Sequence, residues 1–312
     1  VRETYPGADI HLLTGRAGAD IYENDPAINR VYVLTHKRLP ALLNPAKAIL
    51  LAKLRKIGLT ATVDFETNAL FAKMLKDVSP GIFIGWSGLH DRHAPFDEKA
   101  PYWKNCLNLL SHLGIRKPEQ EYYIRVPKSD EEFVSGWLKK EGIAGRIIGF
   151  NAGNSRTGRK RDIRAWPVEK FAELGRRINE KSPKTAIILT ARGKEERETA
   201  RKIASMSGVD IKIAPELTVQ QFAALVKRYS KLVTIDTGAV NVAAAVGTPM
   251  VVLWGPGNFE LSFPPLKENK TKVIFHRREC NPCYGRKNEG ACAGDSCMAD
   301  ITADEVFSTL QS

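Results

Sequence analysis

Residues 234–249 read Thr234-Ile235-Asp236-Thr237-Gly238-Ala239-Val240-Asn241-Val242-Ala243-Ala244-Ala245-Val246-Gly247-Thr248-Pro249. The run passes from an apolar strand through a tight turn into a small-residue helix, which Gly247 ends. In an open α/β sheet, ligands bind beyond the carboxyl ends of the strands. Asp236, Thr237 and Gly238 fall at such an end. Gly238 would let the backbone turn and a ligand come close. The N–H groups opening the helix would face an anion, helped by the helix dipole. An ordinary strand-to-helix turn capped by Asp236 accounts for the same residues without a ligand, so the flanking sequence has to decide.

Outward from this run the alternation continues. Ile147 to Asn151, Thr185 to Leu189, Leu232 to Ile235 and Met250 to Leu253 read as buried strands. Between them, Val168 to Asn179, Glu195 to Met206, Val219 to Tyr229 and Ala239 to Val246 carry helical spacing. Pro167 suits the entry of the first helix and Thr218 the cap of the third. Upstream, Asp9 to Leu13, Arg30 to Leu34, Ala61 to Phe65 and Gly81 to Gly85 read as strands, with Glu121 to Val126 as another. Leu39 to Lys56, Ala69 to Asp77 and Tyr102 to Leu113 read as helices. Continuous apolar strands alternating with helices predict parallel sheets covered on both faces. The pattern changes near Pro127 to Gly145. The expected organisation is α/β, with one domain over residues 1–127 and a second over 128–312 that carries a cysteine-rich loop at 280–297 and a C-terminal helix.

The chain has 312 residues, 43% hydrophobic and 26% charged, with a formal net charge of +12. That balance favours anionic partners and equally describes a solvated basic surface. No run of about 18 apolar residues, the length of a membrane span, occurs. The chain opens on Val1, and Arg2 to Pro6 read like the end of a helix, so the sequence is expected to start inside a domain.

Two further loops sit at strand ends. Residues 152–166 offer Asn154, Ser155, Thr157, Arg159, Lys160, Arg161 and Arg164. A phosphate loop of the nucleoside-triphosphatase kind is rejected, because Arg159 follows Gly158 and Arg161 stands where Ser or Thr belongs. The hydroxyls and cations still suit a diphosphate, or an exposed basic loop. Leu253-Trp254-Gly255-Pro256-Gly257-Asn258 is a strand running into a Gly/Pro loop, a place for ligand contact or a plain turn. Cys106 reads as core. Cys280, Cys283, Cys292 and Cys297 allow a tetrahedral structural zinc site or four reduced thiols.

Taken together, Asp236-Thr237-Gly238, the alanine-rich helix, Pro249 and Leu253-Trp254-Gly255-Pro256 resemble the most recognisable motif of family 9 glycosyltransferases, the heptosyltransferases of lipopolysaccharide core assembly. Arg164-Ala165-Trp166-Pro167 is similar to that family's basic-x-Trp-Pro segment. Glu196 matches an acidic position, the cysteine pattern ending in Cys297-Met298 recurs there, and Tyr5-Pro6-Gly7-Ala8 extends the likeness upstream. The resemblance implies two Rossmann-like doubly wound domains facing a cleft (GT-B type), with the nucleotide sugar held by the second. By position it implies that Asp236, Thr237 and Gly238 contact the diphosphate region, and that Ser155 and Arg164 hold phosphates. Glu196 would bind ribose hydroxyls, and the backbone near Leu217 would face adenine. Asn241 stands where the family often has His, which bears on donor contacts. The family's base, an Asp in a Gly-Asp pair after its first strand, falls before Val1, so the catalytic residue is unknown in this chain and the N-terminal strand is expected to be missing.

The implied function is inverting transfer of heptose from ADP-heptose to the anionic inner core of lipopolysaccharide. It implies a cytoplasmic protein at the periphery of the inner membrane, with no cofactor required for catalysis. Another nucleotide sugar within the same family, or a non-catalytic sugar-nucleotide-binding relative, are the alternatives. A basic nucleic-acid-binding protein fits less well, since basic and aromatic residues do not interleave. A dehydrogenase is disfavoured, because no G-x-G-x-x-G follows a strand.

Overall fold

The computed structural model describes residues 1–34, 44–115, 122–153, 163–266, 270–292 and 296–311. The chain divides into two compact units, Val1–Glu121 and Tyr122–Ser312.

In the first unit, β1 (His11–Thr14) is followed by α1 (Arg16–Tyr22), β2 (Arg30–Val33), α2 (Pro45–Ile57), β3 (Ala61–Val63), α3 (Ala69–Lys76), β4 (Ile82–Gly85), β5 (Arg92–His93) and α4 (Tyr102–Ser111). All pairings are parallel, but the strands fall into two sheets, β1-β2 and β3-β4-β5. One apolar cluster joins them, made by Tyr32, Leu54, Ala72, Leu75, Val78 and Phe83. Helix α2 starts where Asn44 accepts from the Lys47 N–H with Pro45 behind it, and stops at Gly58, whose φ of 69° is left-handed. The Asn cap and the glycine stop are both local sequence signals.

The second unit runs α5 (Lys128–Lys140), β6 (Ile147–Asn151), α6 (Val168–Lys181), β7 (Ala186–Thr190), α7 (Gly193–Ser207), β8 (Ile211–Ile213), α8 (Val219–Val226), β9 (Lys231–Ile235), α9 (Gly238–Val246), β10 (Met250–Trp254), α10 (Phe259–Ser262), β11 (Thr271–Phe275) and α11 (Ala303–Gln311). Its strands form one parallel sheet in the order β11-β10-β9-β6-β7-β8. Read from the other edge and counted within the unit, this is the order 3-2-1-4-5-6 of a dinucleotide-binding sheet. Strand residues alternate between two cores, as a period of two requires. Ile148, Phe150, Ile187, Leu189, Val233, Ile235, Val251 and Leu253 meet α6, α7 and α11 on one face. Ile147, Ile188, Leu232, Met250, Val252 and Trp254 meet α5, α8 and α9 on the other. That is why the strands read as unbroken apolar runs.

Several expectations change. Residues 122–126 form no strand, Arg2 to Thr4 form a turn rather than a helix end, and the Leu39 start of the second helix lies outside the described residues. Helices α1, α5 and α10 and strands β5, β8 and β11 went unread. Strand β8 alternates as Ile211-Lys212-Ile213 and β11 opens on Thr271-Lys272, so both edge strands lack the central strands' unbroken apolar run. Among the described residues no helix is long and apolar enough to cross a membrane.

Candidate functional site

Strands β6 and β9 are hydrogen-bonded neighbours whose following helices, α6 and α9, cover opposite faces of the sheet. Their carboxyl ends therefore open the crevice where the winding reverses, and ligands of open α/β sheets sit there. Asn151 ends β6, and its Oδ1 accepts from the Thr237 hydroxyl at 3.2 Å while its Nδ2 donates to Thr190 Oγ1 at 3.1 Å. This one side chain ties together the ends of β6, β7 and β9. It went unread as a site residue, because a lone Asn closing a strand carries no motif.

Thr237, not Asp236, is the N-cap of α9: its side chain accepts from the Ala239 N–H. The Asp236 carboxyl is turned towards Gly257, in the loop after β10. That carboxyl is held above the ordinary value by burial, against which the nearby Arg164 pulls it down. Arg164 itself donates from Nη1 to the Asp236 carbonyl at 3.2 Å. A Cβ at Gly257 would collide with Asp236 Oδ2, so any side chain there would displace the Asp236 carboxyl group. Gly238 is the reverse: it has no left-handed φ, and a Cβ would meet nothing within 4 Å. The reading of Gly238 as a turn glycine is corrected, since it is simply the first residue of the helix.

Across the crevice, Glu196 sits in the first turns of α7. Its Oε2 accepts from the Arg192 N–H at 2.7 Å, and burial raises its pKa. A Cβ at Gly153 would strike the Glu196 carboxyl group, so the chain leaving β6 runs directly against it. Asp236, Arg164, Thr237, Asn151 and Glu196 thus belong to one edge of the sheet. Ser155 lies outside the described residues. Leu217 precedes the α8 cap, Thr218, and packs its side chain on the α8–α9 face core. Asn241 is exposed on α9, and its Oδ1 accepts from the Tyr122 hydroxyl at 2.7 Å.

The Gly/Pro loop after β10 differs from its expectation as a contact loop. Gly255, Pro256 and Gly257 are buried. Their carbonyls are taken by Asn281 Nδ2 at 3.2 Å, by the Cys283 and Tyr284 N–H groups at 3.1 Å each, and by Trp254 Nε1 at 3.1 Å. The loop is the floor on which the cysteine-rich segment rests. All four cysteines of that segment carry free thiols; burial pushes Cys283 and Cys297 up, as do nearby cysteine sulfurs. Among the described residues no three metal-ligating side chains are gathered as a metal site.

The family pattern described as Glycosyltransferase family 9 (heptosyltransferase) matches residues 92–293. Lipopolysaccharide heptosyltransferase 2 of Salmonella typhimurium is 27% identical over 176 residues, covering 53% of this chain and 46% of the relative. The chain spans about half the length of the curated relatives it matches. Among solved structures, a family 9 glycosyl transferase from Veillonella parvula superposes with a TM-score of 0.83 at 18% identity, over 99% of this chain and 89% of that one. The heptosyltransferase WaaC of E. coli, solved with ADP, gives a TM-score of 0.75 at 17% identity over 99% and 92%. The mixed α/β architecture with parallel sheets is the GT-B type of those heptosyltransferases. A pattern spanning residues 92–293 of 312 covers well over half of the chain, which belongs to glycosyltransferase family 9.

Proposed function

We propose that this chain is an inverting glycosyltransferase that moves heptose from ADP-heptose to the inner core of lipopolysaccharide. The observation that carries the reading is the meeting of a cation, a helix N-terminus and a half-buried carboxylate on one sheet edge, at Arg164, α9 and Glu196. These are the groups a nucleoside diphosphate needs: positive charge for phosphates and an acceptor for ribose hydroxyls. The naming of the Salmonella relative as a lipopolysaccharide heptosyltransferase and the ADP held by WaaC support the choice of donor.

In the proposed step an acceptor hydroxyl attacks the anomeric carbon from the face opposite the diphosphate, and a carboxylate takes its proton. The carbon–oxygen bond to ADP breaks, and negative charge grows on the departing β-phosphate. Arg164 and the N–H groups opening α9 stabilise that charge where it develops. Glu196, ionised, accepts from the ribose. Ser155 adds a phosphate contact, the backbone near Leu217 faces adenine, and Asn241 reaches the donor sugar. The net charge of +12 suits an anionic acceptor and a cytoplasmic place at the inner-membrane surface. The step itself uses no metal. A structural zinc at Cys280, Cys283, Cys292 and Cys297 would require these side chains to move together. Elemental analysis of protein purified without chelator tests this: one zinc per chain supports it, and metal-free protein rejects it.

The activity is tested by offering ADP-heptose, UDP-hexose and GDP-hexose with a heptose-deficient inner-core acceptor. Transfer from ADP-heptose alone, with inverted anomeric configuration by NMR, is the expected result. Preferential use of a uridine or guanosine donor rejects the donor assignment.

A further inference from the structure

Tyr284 lies in the cysteine-rich segment, far in sequence from the residues assigned to the donor. Its ring nevertheless packs against Arg164, whose guanidinium carbon is 4.4 Å from the ring centroid. The same guanidinium donates to the Asp236 carbonyl. Arg164 is thus held between the carboxyl end of β9 on one side and an aromatic face on the other.

The segment that brings Tyr284 there is fixed at several points. Pro256 O accepts from both the Cys283 and Tyr284 N–H groups at 3.1 Å, and Gly255 O accepts from Asn281 Nδ2 at 3.2 Å. Asn281 Oδ1 in turn accepts from the Arg278 N–H at 2.6 Å, and Arg278 makes a two-pronged contact with Asp300 at 2.8 and 2.7 Å. From below, Met298, 1% exposed, fills the space where a Cβ at Gly255 would stand. A guanidinium has several rotamers, and choosing one before the ligand arrives removes part of the entropic cost of binding. An aromatic face selects one plane for it.

We propose that Tyr284 is a positioning residue for the phosphate-binding Arg164, so that the cysteine-rich segment forms a wall of the donor site. The inference rests on the donor reading above and extends it to a residue that the reading leaves out. Tyr284 touches no reacting atom. It acts through Arg164, and so its removal weakens ligands that carry phosphates and spares those that do not.

The test is a double-mutant cycle read by calorimetry, with ADP and adenosine as probes on the whole chain. Tyr284→Leu is expected to weaken ADP by roughly three- to thirty-fold, the span of a cation–aromatic contact, with adenosine affinity unchanged. Tyr284→Phe keeps the ring and restores most of the ADP affinity. In an Arg164→Ala background, Tyr284→Leu has no further effect. In turnover, the donor KM rises and kcat falls with it, because Arg164 also stabilises the charge that develops on the departing β-phosphate. The proposal is overturned if Tyr284→Leu leaves ADP affinity unchanged while Arg164→Ala lowers it, if adenosine and ADP weaken equally, or if the effect persists without Arg164. A failure of Arg164→Ala itself to weaken ADP strikes the donor reading instead, so the two failures are told apart. Should Tyr284→Leu lower the melting temperature, Asn281→Ala loosens the same segment without touching the ring. It must then reproduce the phosphate-selective loss, and an equal loss for both probes overturns the proposal.

Discussion

The two units solve the same problem with unequal means. The second packs six parallel strands between two apolar cores, and its polar groups gather at the carboxyl edge. The first has strands of two to four residues in two sheets, one apolar cluster and a buried polar pair, Asp64 and His90. His90 Nδ1 lies 3.0 Å from the Ser87 carbonyl and Nε2 3.4 Å from Asp64 Oδ2, beneath a tilted Phe83 ring at 4.3 Å. Asp64 Oδ1 accepts from the Glu66 N–H at 2.9 Å, and the Tyr102 hydroxyl donates to the Phe65 carbonyl. Burial raises the Asp64 pKa. The polar groups at the second unit's carboxyl edge tie strand ends together, whereas those of the first unit hold the turns after short strands.

Substitutions break this contrast with graded effect. The largest is expected at Trp166, 1% exposed, whose indole N–H donates to Ile301 O at 3.0 Å. Trp166→Ala should cost about 3–5 kcal/mol, read as a fall in the denaturation midpoint of the second unit. A loss under about 1 kcal/mol would show that this core relaxes around the gap. Next is the polar pair. Asp64→Ala leaves His90 buried without its carboxylate and should cost about 1–3 kcal/mol, with hydrogen exchange rising in the first unit alone. Exchange rising equally in both units would contradict independent stabilisation.

A smaller effect is expected from pH. Burial holds Glu196 above its usual 4.5, so it takes up a proton at a higher pH than an exposed glutamate. The acid form accepts ribose hydrogen bonds less well, so ADP affinity should fall as the pH is lowered from neutral towards that range. Glu196→Gln should remove this part of the dependence. An identical profile in the variant would take Glu196 out of the site. The smallest effect belongs to Gly238→Ala, since the added methyl meets only open space. Melting should change by less than about 0.5 kcal/mol, so a loss of ADP affinity there would report a ligand packed against the glycine.

The central strands were legible because Ile147 to Phe150 and Met250 to Trp254 are buried on both faces and leave no ambiguity of period. Glycine at 247 and threonine at 218 marked helix ends by backbone chemistry, with a left-handed φ of 74° and a capping box. Asp236 and Arg164 were read first from their places in strand-end loops and Glu196 only through the order of motifs; the structure bonds Arg164 to the Asp236 carbonyl. What stayed hidden depends on contacts between distant residues. Asn151 earns its place from Thr237 and Thr190, and Tyr284 from Arg164. The Gly/Pro loop shows the converse: its composition advertises ligand contact, yet its carbonyls are occupied by the chain itself.

On the proposed function, the carboxyl edge of the second unit binds a nucleoside diphosphate through Arg164 and Glu196. Titration calorimetry with ADP and UDP against the wild-type chain, Arg164→Ala and Glu196→Ala tests it most directly. Loss of a charge-assisted hydrogen bond costs about 1.5–3 kcal/mol, so ADP should weaken roughly ten- to a hundred-fold in each variant. UDP should bind more weakly than ADP to the wild type. ADP binding of equal strength in all three proteins, or a clear preference for UDP, would contradict the account.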